Sequence, residues 1–181
     1  MKKKLSTLLM FILVVAVSSA QNYTPKDAGS SVAFAIKNFG LTVNGTFRGL
    51  QGNVLFNPNN VTASVFNVTV STATVNTGNS SRDNHLRKDE YFNAATFPTI
   101  SFVSTKVSNS NRAGTYIVEG VLTIKGTKKN ISFPFTASPN ADGYLFSGNF
   151  SINRRDFKVG SSSMILSDNL SVTLNVQAKK A

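Results

Sequence analysis

Apolar residues recur at every second position in eight separate runs, the spacing a strand needs when one face meets a core and the other meets water. Val32, Phe34 and Ile36 form the first run. Leu50, Gly52, Val54 and Phe56 form the second and end at the turn Asn57-Pro58-Asn59-Asn60. Phe66, Val68 and Val70 follow, then Ile100 and Phe102. Val118, Gly120, Leu122 and Ile124 lead through the turn Lys125-Gly126-Thr127-Lys128 into Ile131, Phe133 and Phe135. Asp142-Gly143 is a hairpin signal before Phe146, Gly148, Phe150 and Ile152, and Leu170, Val172, Leu174 and Val176 close the series. One stretch breaks the pattern. Between Ser80 and Ala95, Ser81-Arg82-Asp83-Asn84 offers helix-capping side chains and Leu86, Glu90 and Tyr91 fall at helical spacing. One short helix is expected over residues 81–95, with Phe97-Pro98 restarting a strand.

Eight consecutive strands joined by short turns predict an all-β, eight-stranded antiparallel barrel of up-and-down order, since closure removes exposed sheet edges. A two-sheet sandwich is the alternative. A barrel of this size is filled by its own side chains or holds one small ligand. The chain has 14 Phe and no Trp, so its walls are apolar without a polar handle, while inward Gly45, Gly52, Gly120 and Gly148 leave room. Composition leaves a filled core and an apolar cavity equally open.

The first twenty residues differ from the rest. Lys2, Lys3 and Lys4 precede an apolar run over residues 8–17, and Ser18-Ser19-Ala20 supplies small residues for cleavage. The uncharged stretch is shorter than the roughly 20 residues that span a bilayer, so a signal peptide over residues 1–20 is expected, removed after Ala20. No Cys follows it, which excludes a lipid-modified N-terminal cysteine and disulfides alike. Residues 21–181 then form one periplasmic or secreted domain with no stable membrane anchor, held together by burial. The formal net charge of +11 falls to +8 once the three signal lysines are gone. The remaining charges are scattered, which reads as solubility and not as a nucleic-acid stripe. The eight Asn-x-Ser/Thr tripeptides arise from a chain rich in those residues and carry no argument.

Catalytic equipment is sparse. The chain has one His, His85, and eight acidic residues dispersed over different elements. A zinc site would have to be built on one His and carboxylates. A Ser/His/Asp arrangement with Asp83 or Asp89 lacks the Gly-x-Ser-x-Gly elbow, and no phosphate-cradling or dinucleotide motif is present. No catalytic residue, metal ligand or cofactor is assigned, and binding is the better explanation.

The ordered motifs resemble the YceI-like family over nearly all of residues 21–181. They are Ser30-Ser31-Val32-Ala33-Phe34-Ala35-Ile36-Lys37; Gly45-x-Phe47 with Gly52-Asn53-Val54-Leu55-Phe56-Asn57-Pro58; and Thr77-Gly78 with Arg82-Asp83-x-His85-Leu86. Tyr91-Phe92 with Phe97-Pro98-Thr99-Ile100-Ser101-Phe102, Gly120-x-Leu122-Thr123-Ile124-Lys125-Gly126-x-x-Lys129, and Arg155-Asp156-Phe157 continue them. The resemblance implies a lipocalin-like barrel whose interior takes an isoprenoid or other long-chain lipid. The apolar wall would be drawn from Phe34, Ile36, Phe47, Val54, Phe56, Phe66, Val68, Phe102, Leu122, Phe133, Phe150 and Leu174, all inward by alternation. Arg82, Asp83, His85, Arg155 and Asp156 carry the polar motifs, either as a cap pinning the helix or a loop to the barrel, or as contacts to a ligand head group. Gly29, Asn38 and Lys158 depart from the residues common in the family and alter the expected polar end. An interaction module on a filled barrel is the alternative function. The outward faces of Ala33, Ala35 and Val103 leave homodimer pairing open.

Overall fold

The computed structural model describes residues 21–181; the expected signal peptide lies outside them. Strands β1 (Gln21–Asn38), β2 (Leu41–Phe56), β3 (Val65–Asn76), β4 (Thr99–Asn109), β5 (Thr115–Ile124), β6 (Thr127–Asn140), β7 (Gly143–Asn153) and β8 (Leu166–Lys180) run up and down in sequence order. They close into one antiparallel barrel, β8 pairing with β1 from Tyr23 opposite Lys180 to Asn38 opposite Leu166. The sandwich alternative is thereby excluded. Every run of alternation falls within one of these strands. Among the described residues no helix is long and apolar enough to cross a membrane.

Register is pinned where the alternation slips. Phe47 and Leu50 are three apart yet both buried, because a bulge in β2 takes up the extra residue. Gly49 supplies its positive φ of 73°. The carboxylate of Asp27, from a matching bulge in β1, accepts the Gly49 and Leu50 N–H groups at 2.8 Å each. Two main-chain donors freed by the bulge are thus satisfied by one charged acceptor.

The helical excursion is shorter than expected. Helix α1 spans Ser80–Leu86, capped by the Asn79 side chain accepting from Arg82 N–H. Residues 87–97 continue as turns, with Asn93 at a positive φ of 47°. The expectation of a helix to residue 95 rests on capping side chains at residues 81–84 and on the helical spacing of Leu86, Glu90 and Tyr91. Leu86 and Tyr91 do face the barrel, but from a chain that folds back through Phe92 N–H to Leu86 O and Phe97 N–H to Asn93 O, and Glu90 stays exposed.

The interior divides along the barrel axis. At the end formed by the start of β1 and the end of β2, Phe56 is 1% exposed. Its ring lies 5.2 to 5.5 Å from those of Tyr144, Phe146 and Tyr116, edge to face in each case. Phe66 joins the cluster through Phe135 and Phe146, and Val54, Val107 and Val118 fill the gaps. Tyr23 seals this floor against Tyr144; its burial, and then the neighbouring Tyr144 phenol, raise its hydroxyl pKa above the ordinary value. Because Phe56 is the hub of a filled aromatic floor, Phe56→Ala is expected to cost about 3–5 kcal/mol of unfolding free energy in urea titrations. A loss under about 1 kcal/mol would mean that this end is not packed.

Candidate functional site

Beyond Phe133 the barrel is hollow. A cavity of about 340 Å³ occupies the other end, within the size range of small-molecule sites. Phe34, Phe102, Phe150 and Leu174 point inward yet are only half-buried, since the surface they show faces this space instead of other side chains. Packing thus separates two states that composition left open: the floor is filled and the upper half is not.

Glycine placement helps to shape the wall. Gly45 stands directly opposite Phe34, and a Cβ on it would fall 2.2 Å from the Phe34 ring. On Gly120 a Cβ would fall 2.6 Å from the ring of Phe102. At both positions the missing side chain lets a ring lie flat along the wall.

Nine of the twelve expected wall residues line the cavity: Phe34, Ile36, Phe47, Val68, Phe102, Leu122, Phe133, Phe150 and Leu174. Val54, Phe56 and Phe66 do not. They are inward but lie at the packed end, where the aromatic cluster leaves no space. Alternation assigns a side of the sheet, not a depth along the axis. The remaining wall includes Val43, Val70, Ile100, Ile131, Val172 and Val176, each in step with a residue already singled out.

The mouth is partly covered from two sides. Leu86, Tyr91 and Phe92, from α1 and the turns after it, come over one side, Phe92 meeting Phe47 edge to face at 5.3 Å. Phe157 and Val159, from the 3₁₀ turn Arg154–Phe157 and the residues after it, come over the other. Gly160 N–H donates to Glu90 O at 2.9 Å, and Lys125 Nζ donates to both Glu90 O and Lys158 O, tying the two sides together.

Among the polar motif residues, Arg82 and His85 reach the cavity mouth, whereas Asp83, Arg155 and Asp156 do not. Asp83 is buried and accepts from Thr77 N–H at 2.8 Å and Thr77 Oγ1 at 2.6 Å. Arg82 Nε donates to the same hydroxyl and its Nη2 to Thr77 O. These charge-assisted bonds pin α1 to the end of β3. Arg155 and Asp156 are exposed at the rim. The buried cation of that motif is the preceding Arg154, 3% exposed, which lines the cavity. It donates to Val159 O and Ser167 O and pairs with Asp168 at 2.7 Å. The Arg154-Arg155 pair holds no periodic signal to say which faces in, because the strand ends there and the backbone turns. His85 is half-exposed, with Glu90 at 3.3 Å and the Tyr91 ring edge-on at 5.0 Å. Neither carboxylate weighed from the sequence, Asp83 or Asp89, is its partner. Among the described residues no three His, Cys, Asp or Glu side chains converge. Of the three departures, Asn38 lines the mouth and Lys158 stands on its rim with a positive φ of 58°, a conformation glycine adopts at lower cost. Gly29 lies in the β1 bulge beside Gln177, away from the cavity lining.

Because Asp83 alone satisfies the Thr77 N–H, Asp83→Ala should cost about 1–3 kcal/mol in urea unfolding and speed hydrogen exchange across residues 80–98. Unchanged stability and exchange would show that the carboxylate does not hold the cap.

A family model described as the YceI-like domain matches residues 23–178. A UPF0312 protein of Yersinia enterocolitica is 29% identical over 180 residues, which cover 96% of this chain and 93% of the relative. Among solved structures, that of BcnA from Burkholderia cenocepacia superposes with a TM-score of 0.79 at 25% identity, covering 84% of this chain and 98% of that one. A polyisoprenoid binding domain from Saccharophagus degradans, implicated in plant cell wall breakdown, matches with a TM-score of 0.72 at 17% identity, over 91% of this chain and all of that one.

Proposed function

The chain belongs to the YceI-like family, and from that premise we propose that it is an exported, non-catalytic binding protein. Its ligand is a long-chain isoprenoid or similar lipid, with the apolar tail in the hollow half of the barrel and the polar end at the mouth. The observation that carries this reading is the half-buried apolar wall around an internal cavity whose ionisable lining residues, Arg82, His85, Tyr91 and Arg154, all come from segments at the mouth. Each methylene moved from water into that wall contributes about 0.8 kcal/mol, so a long tail needs no specific polar contact to bind. Arg82, held to Thr77 through Nε and Nη2, lines the mouth together with His85, which supports an oxygen-bearing head group at that end. The polyisoprenoid-binding description of the Saccharophagus degradans domain, which shares the fold, agrees in ligand class.

A filled-barrel interaction module gains no support from a barrel that is half hollow. Catalysis by His85 would need a reacting group within its reach in the cavity, and its contacts are to Glu90 and Tyr91 at the rim.

Organic extraction of protein purified without detergent, followed by mass spectrometry, should yield an elongated apolar compound in near one-to-one amount. The double variant Val68→Phe with Val172→Phe fills the cavity from two walls. It should lose that compound while losing less stability than the roughly 1–3 kcal/mol typical of overpacking a full core. Repeated recovery of nothing apolar, or equal recovery from the variant, would contradict the reading. Export predicts in addition that the protein recovered outside the cytoplasm has the intact mass of a chain starting at Gln21; a mass retaining residues 1–20 would contradict it.

A further inference from the structure

Two turns at the open mouth carry apolar side chains that the fold does not use. Phe39 is 70% exposed, Leu41 74%, Met164 104% and Ile165 45%, four of the six most exposed large hydrophobic residues among those described. Phe39 and Gly40 form the two-residue β1–β2 turn, and Phe39 N–H donates to Ile165 O at 2.9 Å, joining that turn to the segment before β8. Asn38 and Leu166, next in sequence to this patch, line the cavity mouth, so patch and cavity are continuous.

Turn chemistry does not account for Phe39. Both turn residues have positive φ, 50° at Phe39 and 76° at Gly40, the hairpin geometry in which Asn-Gly is favoured and a bulky residue is strained. A strained position is here occupied by a large ring with most of its surface in water. Observed strain with no packing return points to a use outside the folded chain.

Basic residues accompany the patch. Exposed Lys37 precedes Phe39 on β1, and exposed Arg155 and Lys158 share the β7–β8 connection with Met164 and Ile165. Lys125 is fastened to Lys158 O beside them. The acidic groups of this end are Asp156, Glu90 near His85, Asp89 on the turns after α1, Asp83, which is buried and bonded to Thr77, and Asp168, which is paired with Arg154. Apolar tips flanked by cations complement an anionic phospholipid surface. The same cations would face one another across a symmetric contact with a second copy.

We propose that the Phe39–Leu41 turn and the Met164–Ile165 segment insert into the interface of an anionic bilayer and set the mouth of the barrel against it. Resting on the carrier reading above, this gives the lipid a path from bilayer to cavity without crossing water. The test is flotation of the mature protein with vesicles of phosphatidylcholine alone and of phosphatidylcholine with phosphatidylglycerol. The protein should float with the anionic vesicles, and less so at high salt. Phe39→Asn with Leu41→Thr should weaken this at least tenfold with no loss of melting temperature, since Asn-Gly suits the turn; Val103→Thr, an exposed apolar residue on the barrel side, should change nothing. Equal flotation of the variant and the wild type would overturn the proposal. So would absence of flotation together with self-association that the same substitutions abolish, which would make a second copy the occupant. Extraction of both proteins separates the two readings: an empty cavity fails the carrier, whereas flotation alone decides the docking face.

Discussion

Closure of the sheet between β1 and β8 is the constraint on which the rest of the molecule depends. With the ring complete, the strands satisfy one another's main-chain groups, and the interior can stay unfilled at one end without leaving a sheet edge open. An open sandwich with the same side chains would close on its own apolar faces. Here the circumference is set by eight strands, and rings lying along the wall at Gly45 and Gly120 leave the axis clear. The aromatic floor around Phe56 anchors one end, so the hollow end is built on a rigid base.

The mouth follows from the same logic. Strands that end in a barrel leave their last main-chain groups unpaired, and the two covering segments are attached through those groups. Thr77, just past the end of β3, is gripped by Asp83 and Arg82; Arg154, at the end of β7, donates to carbonyls on both sides of its own loop. Charged side chains at the rim therefore hold the cap in place and still present nitrogen donors at the edge of an apolar space. A pocket so arranged favours a ligand that is apolar over most of its length and polar at one end.

Much of this architecture is legible in the chain. Alternation locates all eight strands because each has one face on the interior and one on water, and a one-residue slip of that pattern would bury the wrong set. Period two does not separate barrel from sandwich, which differ only in whether the first and last strands meet. Nor does it report depth, so Val54, Phe56 and Phe66 looked equivalent to Phe34 and Phe102 although they pack the floor. Helical spacing overstates the helix because Leu86 and Tyr91 both reach the barrel although the chain between them leaves the helix and folds back. Asp27 carried no signal, since its role depends on two bulges meeting across strands. The choice of Arg154 over Arg155 depends on where β7 stops.

If the upper half of this barrel is a chamber for one elongated apolar molecule, a crystal structure of the protein purified without detergent or delipidation will reveal it. Continuous elongated density is expected from the Phe133 ring to the mouth between Arg82 and Asn38, with the wall side chains placed as described. Rings of Phe34, Phe102 and Phe150 swung off the wall and across the axis to fill the space, or a chain of ordered waters in place of that density, would rule the chamber out.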